Sequence, residues 1–548
     1  MYNADRHHAY VTPLNPRMRD MLVEQGATYY DKKKYCKLPR TMSTLNSLYR
    51  LIPEIREDKA YLEDGWKLKN ELDQLAMKRN QVWQAAPGDR LRPYQRKDVQ
   101  FLQELDAAGI FNDPRTGKTP TTLEMLRTKG TKRNLVVCPA SLLYTWAKQS
   151  MEWFPEASVY VVDGKKNFDA ALADFDHATK NQNYPAILII SKNMLANIED
   201  FYKIQFDVAV VDEAHFLRNR DSNQSKAVMK IKADQRFALT GTPTVKHPSD
   251  IFGILQFLFP KDFTSYWNFC NWFFYVGDSR YSRGNVVGPP RAGREEHLQE
   301  LVSRHSVFRK RSEVMPWLPK KEHKTLYAKM NDKQSKAYYE MEKLFFTECE
   351  ETGAVVDAAT ILVKLIRLRQ LSIDPRMVGF KTKGAKTEML LQLLKDRKED
   401  DNPTPLIVMS TFTSYLKLLQ DDLTAAGYRV DTIHGEMTAT AKQAAADAFQ
   451  RGEVDILLCN IKSAGVGWTL DRGDTIVFVD SEWNPSDNEQ AEDRVTPTTP
   501  ENLHKHEVVH LSAMGTVDEK IFDLLRQKKS LTDIINQGAA ALLNTLRG

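Results

Sequence analysis

Six short apolar runs constrain this chain more than any other feature: Asn134 to Cys138, Ala186 to Ile190, Val208 to Val211, Leu406 to Met409, Asp455 to Cys459 and Thr475 to Val479. Each ends in small, polar or charged residues, and each is followed by a longer amphipathic stretch. Runs of this length rich in β-branched residues read as strands buried on both faces, with the stretches between them as crossover helices. That pattern specifies α/β layers. The runs fall into two groups, one before about residue 245 and one after about residue 404. The stretch between is rich in aromatics and helix formers, notably Ile251 to Phe259 and Ser335 to Leu371. The prediction is two parallel-sheet lobes with helical insertions and a small, mostly helical N-terminal module. The expected boundaries are 1–85 for that module, 86–245 for the first lobe, 246–400 for the insertions, 401–518 for the second lobe and 519–548 for a helical tail. Within the insertions, Asp278 to Gly293 carries several Gly, Pro and Arg residues and reads as a loop. Glu399 to Pro405 is a polar, Pro-containing loop ending just before a strand.

A length of 548 residues holds several domains and a large core. With 42% hydrophobic and 27% charged residues, a disordered or collagen-like chain is excluded. Lysine and arginine total 77 against 72 acidic residues, a net +5, so charge alone does not name a nucleic-acid partner. A basic surface has to come from local clusters such as Lys32 to Lys34 with Lys37, Arg309 to Arg311, or Lys320 and Lys321; any one of these also fits a solvated face. The five cysteines are scattered and form no C-x-x-C pair, which suggests neither a disulfide framework nor a metal cluster. No apolar stretch approaches the roughly 18 residues of a membrane span. The opening MYNADRHHAY lacks the character of a secretion signal, so a cytoplasmic setting is expected.

Chemistry concentrates first at Asn112-Asp113-Pro114-Arg115-Thr116-Gly117-Lys118-Thr119, between the apolar Ala107 to Phe111 and a helical pattern. A phosphate loop needs converging backbone N–H groups, a lysine for the β/γ-phosphates and a hydroxyl for Mg²⁺, and Gly117, Lys118 and Thr119 supply that ending. Asn112 stands where the first glycine of such a loop usually lies, and a lone G-K-T also fits an ordinary helix start. The second centre is Val208 to Val211 followed by Asp212-Glu213-Ala214-His215, a strand delivering two carboxylates at its end. One can serve the Mg²⁺ shell and the other the attacking water, although Asp-Glu after a strand also suits a helix N-terminus. Their order, about ninety residues apart and just before Leu239-Thr240-Gly241-Thr242-Pro243, makes coincidence a poor account.

These motifs and those that follow resemble the Swi/Snf-type ATPases of helicase superfamily two. Leu91-Arg92-Pro93-Tyr94-Gln95 is similar to the adenine-reading motif, and Leu135 to Trp146 to the one that grips a DNA backbone, placing Pro139, Ser141 and then Ser191 on DNA. Thr240-Gly241-Thr242-Pro243 resembles the element coupling hydrolysis to lobe movement. In the second lobe, Leu406 to Tyr415, Ile433-His434-Gly435, Ser463 to Leu470, Asp480 to Pro485 and Gln490-Ala491-Glu492-Asp493-Arg494 resemble the family's motifs in the family's order, and Gly515 to Glu519 resembles the start of its closing helix. Leu368-Arg369-Gln370 with Asp374-Pro375 resembles a signature that separates this family from RNA-directed branches.

The resemblance implies two RecA-like lobes that sandwich Mg·ATP. Gln95, the loop from Asn112 to Thr119, Gly465, Gly467 and Gln490 would hold nucleotide, with Thr119 and Asp212 on the metal. Lys118, Asp212, Glu213 and Arg494 would be catalytic, and Thr411 and Trp483 would join the DNA contacts. Two departures stand out: Arg115 occupies a usual glycine position, and Pro497 replaces a second arginine three residues after Arg494. Arg472 and Arg115 are the candidates to replace it. The N-terminal Tyr29 to Pro39 resembles the recognition module of the annealing-helicase branch, and equally fits a basic surface hairpin. The implied function is DNA-dependent ATP hydrolysis driving translocation on double-stranded or branched DNA, for remodelling, branch migration or reannealing, alongside partners of the replication or repair machinery in a bacterial or virus-infected cell. Strand-separating DNA helicase, RNA helicase and non-hydrolysing DNA-binding scaffold are the rival readings.

Overall fold

The computed structural model describes residues 2–80, 90–244, 247–278, 285–318, 321–351, 358–399, 405–464, 470, 472–496 and 507–527. It forms two compact units, Met1–Val314 and Met315–Gly548.

The first unit opens with an antiparallel sheet of β1 (Tyr2–Ala4), β2 (His8–Val11), β3 (Thr28–Tyr30) and β4 (Tyr35–Pro39), in the order β1-β2-β4-β3. Helices Pro16–Glu24, Met42–Leu51 and Lys59–Asn80 hold most of this module's residues, as the sequence predicts, but the sheet at its centre was not foreseen. Strands of three to five residues are too short to show an alternating pattern above noise. Nor is the module a separate body. Cys36, Leu38 and Leu45 share one apolar core with Phe257, Phe263 and Phe273 of the lobe, and the Glu300 carboxylate accepts from Met42 N at 2.8 Å. Gly26 shows how close the backbones come: its φ is +94°, and a Cβ there would lie 2.2 Å from Asn271 O.

The lobe itself is a seven-stranded, all-parallel sheet. Its strands are β5 (Ala107–Ile110), β6 (Arg133–Cys138), β7 (Ser158–Val162), β8 (Ala186–Ser191), β9 (Gln205–Val211) and β10 (Lys232–Leu239), with β13 (Ser306–Val307) at the edge, in the order β13-β5-β10-β9-β6-β8-β7. Leu135 to Cys138, Ile187 to Ile190 and Val208 to Val211 are fully buried, as strands covered by helices on both faces must be. The stretch expected to be helical apart from its loop also carries a hairpin of β11 (Phe274–Asp278) and β12 (Asn285–Pro290). Part of the predicted loop from Asp278 to Gly293 is therefore a strand, and its Pro289-Pro290 are tolerated because the ribbon has only two strands, both edges.

The second unit is a six-stranded, all-parallel sheet of β14 (Glu322–Ala328), β15 (Leu406–Ser410), β16 (Val430–Ile433), β17 (Ile456–Asn460), β18 (Thr475–Phe478) and β19 (Glu507–Ala513), in the order β14-β19-β18-β15-β17-β16. β14 comes from the predicted insertion; its Glu-His-Lys-Thr start is too polar to read as a buried strand, and it is an edge. The closing helix Val517–Arg526 starts at Thr516, whose side chain caps Asp518 N. Most of the predicted tail lies outside the described residues. No helix among the described residues is long and apolar enough to cross a membrane.

Two histidines make the first unit acid-sensitive. His7 packs 4.3 Å from the Phe259 ring, with His8, His305, Arg6, Asp5 and Asp262 around it. Burial, then the neighbouring His305 and Arg6, push its pKa down to about 2. Burial and Arg294 push His297 down to about 4, with Glu300 opposing. Both stay neutral in the fold while their unfolded counterparts take a proton below pH ~6.5. Stability is therefore retained above that pH and falls as pH drops below it, by up to about 1.4 kcal/mol per pH unit for each group. Urea midpoints measured from pH 7 to 5 should fall less steeply for His7→Leu than for the parent; equal slopes would refute the assignment.

Candidate nucleotide and nucleic-acid site

Sheet order explains how three distant motifs meet. β10 lies between β5 and β9, so the carboxyl ends of these neighbours bring together the loop after Ile110, Thr240-Gly241-Thr242 after Leu239, and Asp212-Glu213 after Val211. Strands about 4.8 Å apart put the outer two roughly 10 Å from each other, and this edge is where open α/β sheets bind ligands.

The loop is held from behind. Asn112 is fully buried and donates to Asp98 Oδ2 at 2.9 Å, while the same carboxylate takes two bonds from Arg309 at 2.7 and 2.9 Å. Asp113 N donates to Arg309 O at 2.9 Å, and Arg311 N to Asp113 Oδ2 at 2.8 Å. Thr116 turns inward, its hydroxyl on Asp113 O. Gly117 precedes the helix Lys118–Lys129 with φ +80°, and a Cβ there would fall 2.2 Å from Gln95 Nε2. Arg115 also adopts a left-handed backbone, φ +68°. That conformation is the physical reason a glycine suits the position, and arginine bears about 1–2 kcal/mol for it. Lys118 Nζ lies over the loop, donating to Asn112 O at 2.9 Å and Asp113 O at 3.3 Å. Gln95 is buried, bonded through Oε1 to Arg92 N and through Nε2 to the carbonyls of Thr116 and Gly117. Tyr94 adds its hydroxyl to Thr116 O at 2.7 Å. Gln95 thus braces the loop through both atoms of its amide.

Asp212 is buried beneath this edge. Trp146 Nε1 donates to its Oδ2 at 2.8 Å and Glu213 N to its Oδ1 at 2.8 Å. Burial, then the Glu213 charge, raise its pKa above the usual carboxylate range, opposed by the indole and by the Lys118 ammonium. Glu213 has φ +49°, an uncommon conformation for a non-glycine residue and one that recurs at functional sites. Its Oε2 lies 3.2 Å from His215 Nδ1, which is also 3.3 Å from the Thr240 hydroxyl. Thr242 N donates to that hydroxyl at 3.1 Å, and a Cβ on Gly241 would reach Pro114 of the loop at 2.9 Å. A backbone loop with its lysine, a helix start and a buried carboxylate fit a nucleotide polyphosphate with Mg²⁺.

Asp98, Arg309, Trp146 and His215 were not predicted as site residues. Trp146 falls within the motif expected to grip DNA, yet its indole serves Asp212; His215 had a legible signal in its place after Asp212-Glu213. Pro139 and Ser141 begin the turn after β6, partly exposed. Ser191 is buried and its hydroxyl accepts from Met194 N as a helix cap.

In the second unit, Asp480 after β18 gathers the predicted motifs. It accepts from Ser410 Oγ at 2.6 Å, Thr411 N at 3.1 Å, the Thr411 hydroxyl and Arg369 at 2.9 Å. The Arg369 guanidinium also lies over Phe412 and Trp483. Gln490 sits half-buried on helix Pro485–Glu492, and Arg494 O accepts from Leu470 N at 2.9 Å. Arg472 donates to Phe449 O and Val454 O within its own unit. Gly465, Gly467 and Pro497 lie outside the described residues.

Two all-parallel α/β units, one with a phosphate loop, a strand-end carboxylate pair and a Thr-Gly-Thr element on adjacent strands, define a helicase-type nucleotide-binding protein. The SNF2-related domain matches residues 94–377 and the helicase conserved C-terminal domain residues 385–496. The chain belongs to the SNF2-related family of helicase-like ATPases. It is 26% identical over 480 residues to the ISWI chromatin-remodeling complex ATPase ISW1 of Saccharomyces cerevisiae, covering 82% of this chain and 41% of that protein. It is 25% identical to the putative ATP-dependent helicase/translocase YwqA of Bacillus subtilis, covering 82% and 49%. The chain thus spans about half the length of these curated relatives. Among solved structures, the Sulfolobus solfataricus SWI2/SNF2 ATPase core in complex with dsDNA matches 84% of this chain and 96% of that chain at 23% identity, with a TM-score of 0.39.

Proposed function

We propose that this chain is a DNA-dependent ATPase that couples Mg-ATP hydrolysis to translocation along double-stranded DNA, serving remodelling, branch migration or strand reannealing in the cytoplasm of a bacterial or virus-infected cell. The observation that carries the reading is one line of contacts: Gln95 to the phosphate loop, Pro114 to Gly241, Thr240 to His215, and His215 to Glu213. Through it, a shift of the loop on nucleotide binding or release reaches the Thr-Gly-Thr element. Lys118 would neutralise phosphate charge, Thr119 and Asp212 would hold the metal, Glu213 would orient and deprotonate water, and Arg494 would supply a further cation. Magnesium, when bound, withdraws charge from the phosphoryl oxygens. Pro139, Ser141, Thr411 and Trp483 are the proposed DNA contacts. The relatives' names, a chromatin-remodeling ATPase and a helicase/translocase, support movement on DNA.

Phosphate release should rise most with blunt or branched duplex DNA and least with RNA, and the stimulation should weaken steeply with salt as phosphate contacts are lost. Stronger stimulation by RNA would favour an RNA helicase. Release of a labelled strand from a partial duplex would identify strand separation.

A further inference from the structure

A cleft of about 390 Å³ lies on the first unit and shares no residue with the nucleotide site. Its walls come from the segment after the carboxylate pair, from helix Asn223–Met229 and from helix Ile251–Leu258 with the turn that follows it. Arg220, Lys226 and Lys230 supply three cations, Gln256 and Thr264 an amide and a hydroxyl, and Phe252 and Tyr266 an aromatic wall. No carboxylate lines it among the described residues.

Three features distinguish this cleft from a solvated basic face. Arg220 is only partly exposed, its guanidinium 3.6 Å from the Tyr266 ring centroid, so its planar fork is held in one place. Lys226 and Lys230 are four residues apart on one helical face, where like charges repel. Among the described residues, none of the three has an ion pair, although most of the chain's partly buried arginines are matched with acids or carbonyls. Concentrated positive charge with a fixed fork, two neutral hydrogen-bonding groups and no acid is the arrangement that recognises phosphate oxygens.

We infer that this cleft is a phosphate-binding site, separate from the phosphate loop, for a phosphodiester of a nucleic-acid backbone or for the phosphates of a free nucleotide. Arg220 supplies the fork, and Lys226 and Lys230 supply point charges. The assignment concerns binding and stands whether or not the chain hydrolyses ATP.

The test compares full-length Lys226→Gln/Lys230→Gln with Lys165→Gln/Lys166→Gln, which removes the same charge from two exposed lysines elsewhere on the unit. The probes are a short fluorescein-labelled duplex, followed by anisotropy across a salt series, and inorganic pyrophosphate, titrated calorimetrically with Lys118→Ala added to every variant to remove binding at the phosphate loop. For a phosphodiester site, the cleft variant weakens duplex binding and its log–log salt slope falls by about 2, at about 0.9 per lost contact, while the control keeps its slope. For a free-phosphate site, the cleft variant loses the pyrophosphate isotherm and duplex binding is unchanged. Arg220→Lys keeps the charge but loses the fork, and should weaken whichever probe the cleft binds. If the cleft and control variants are indistinguishable with both probes, the inference is overturned.

Discussion

Lys118→Ala and Glu213→Gln should each lower duplex-stimulated phosphate release by at least about 10² to 10³, the loss typical of removing one transition-state-stabilising group. The two differ in what they leave behind. With Lys118 on the phosphates, as proposed, its alanine variant loses nucleotide affinity as well as rate. With Glu213 on water, as proposed, its glutamine variant keeps ADP and ATP affinity and loses rate alone. The double variant should fall little below the weaker single one, because groups that act on one transition state are not additive. Release measured with and without duplex, beside binding of a fluorescent ADP, separates these cases. Unchanged release in both single variants would show the catalytic assignment to be wrong, and a parent with no release above background would establish the non-hydrolysing scaffold instead.

In the second unit, Arg369→Met should destabilise by about 3–5 kcal/mol, the cost of leaving one charge of a buried pair alone. Arg369 and Asp480 are 4% and 5% exposed, and their bond joins helix Ala358–Ile373 to the end of β18. Ser410 and Thr411 still donate to Asp480 in the variant, but neither neutralises it. Adding Asp480→Asn should recover much of the loss, since the remaining amide carries no charge. Hydrogen exchange along β15 and β18 reads this locally, independent of the other unit. Protection unchanged in Arg369→Met would show that the pair contributes no stability, and that the Leu368-Arg369-Gln370 signature serves something other than this anchor.

Much of the site was legible because its chemistry is local. A glycine, a lysine and a hydroxyl in succession, or two carboxylates after an apolar strand, are read directly from neighbouring residues. The supports of those residues were not legible. Asp98 bonds Asn112 from fourteen positions away, Arg309 bonds Asp98 from 211 away, and Trp146 reaches Asp212 across 66 residues. Nothing in a window of ten residues relates such partners. Ser191 shows a role its strand-end pattern did not reveal: the chain turns into a helix there and its hydroxyl caps that helix. The N-terminal sheet escaped notice because very short strands carry too little periodicity, and β14 because an edge strand tolerates polar residues.

The sequence by itself determined the α/β class, the two groups of buried strands and the residue types at their ends, because doubly covered strands demand continuous apolar runs. Only the tertiary structure decided which strand ends are neighbours. The strand order β5-β10-β9 puts loop, Thr-Gly-Thr element and carboxylates side by side, and hydrogen bonds between segments far apart in sequence then set where each side chain points. Tertiary packing likewise gathered Arg220, Lys226 and Lys230 around a cleft walled by Phe252 and Tyr266, since charge in a linear chain has no address until the surfaces that carry it are folded together.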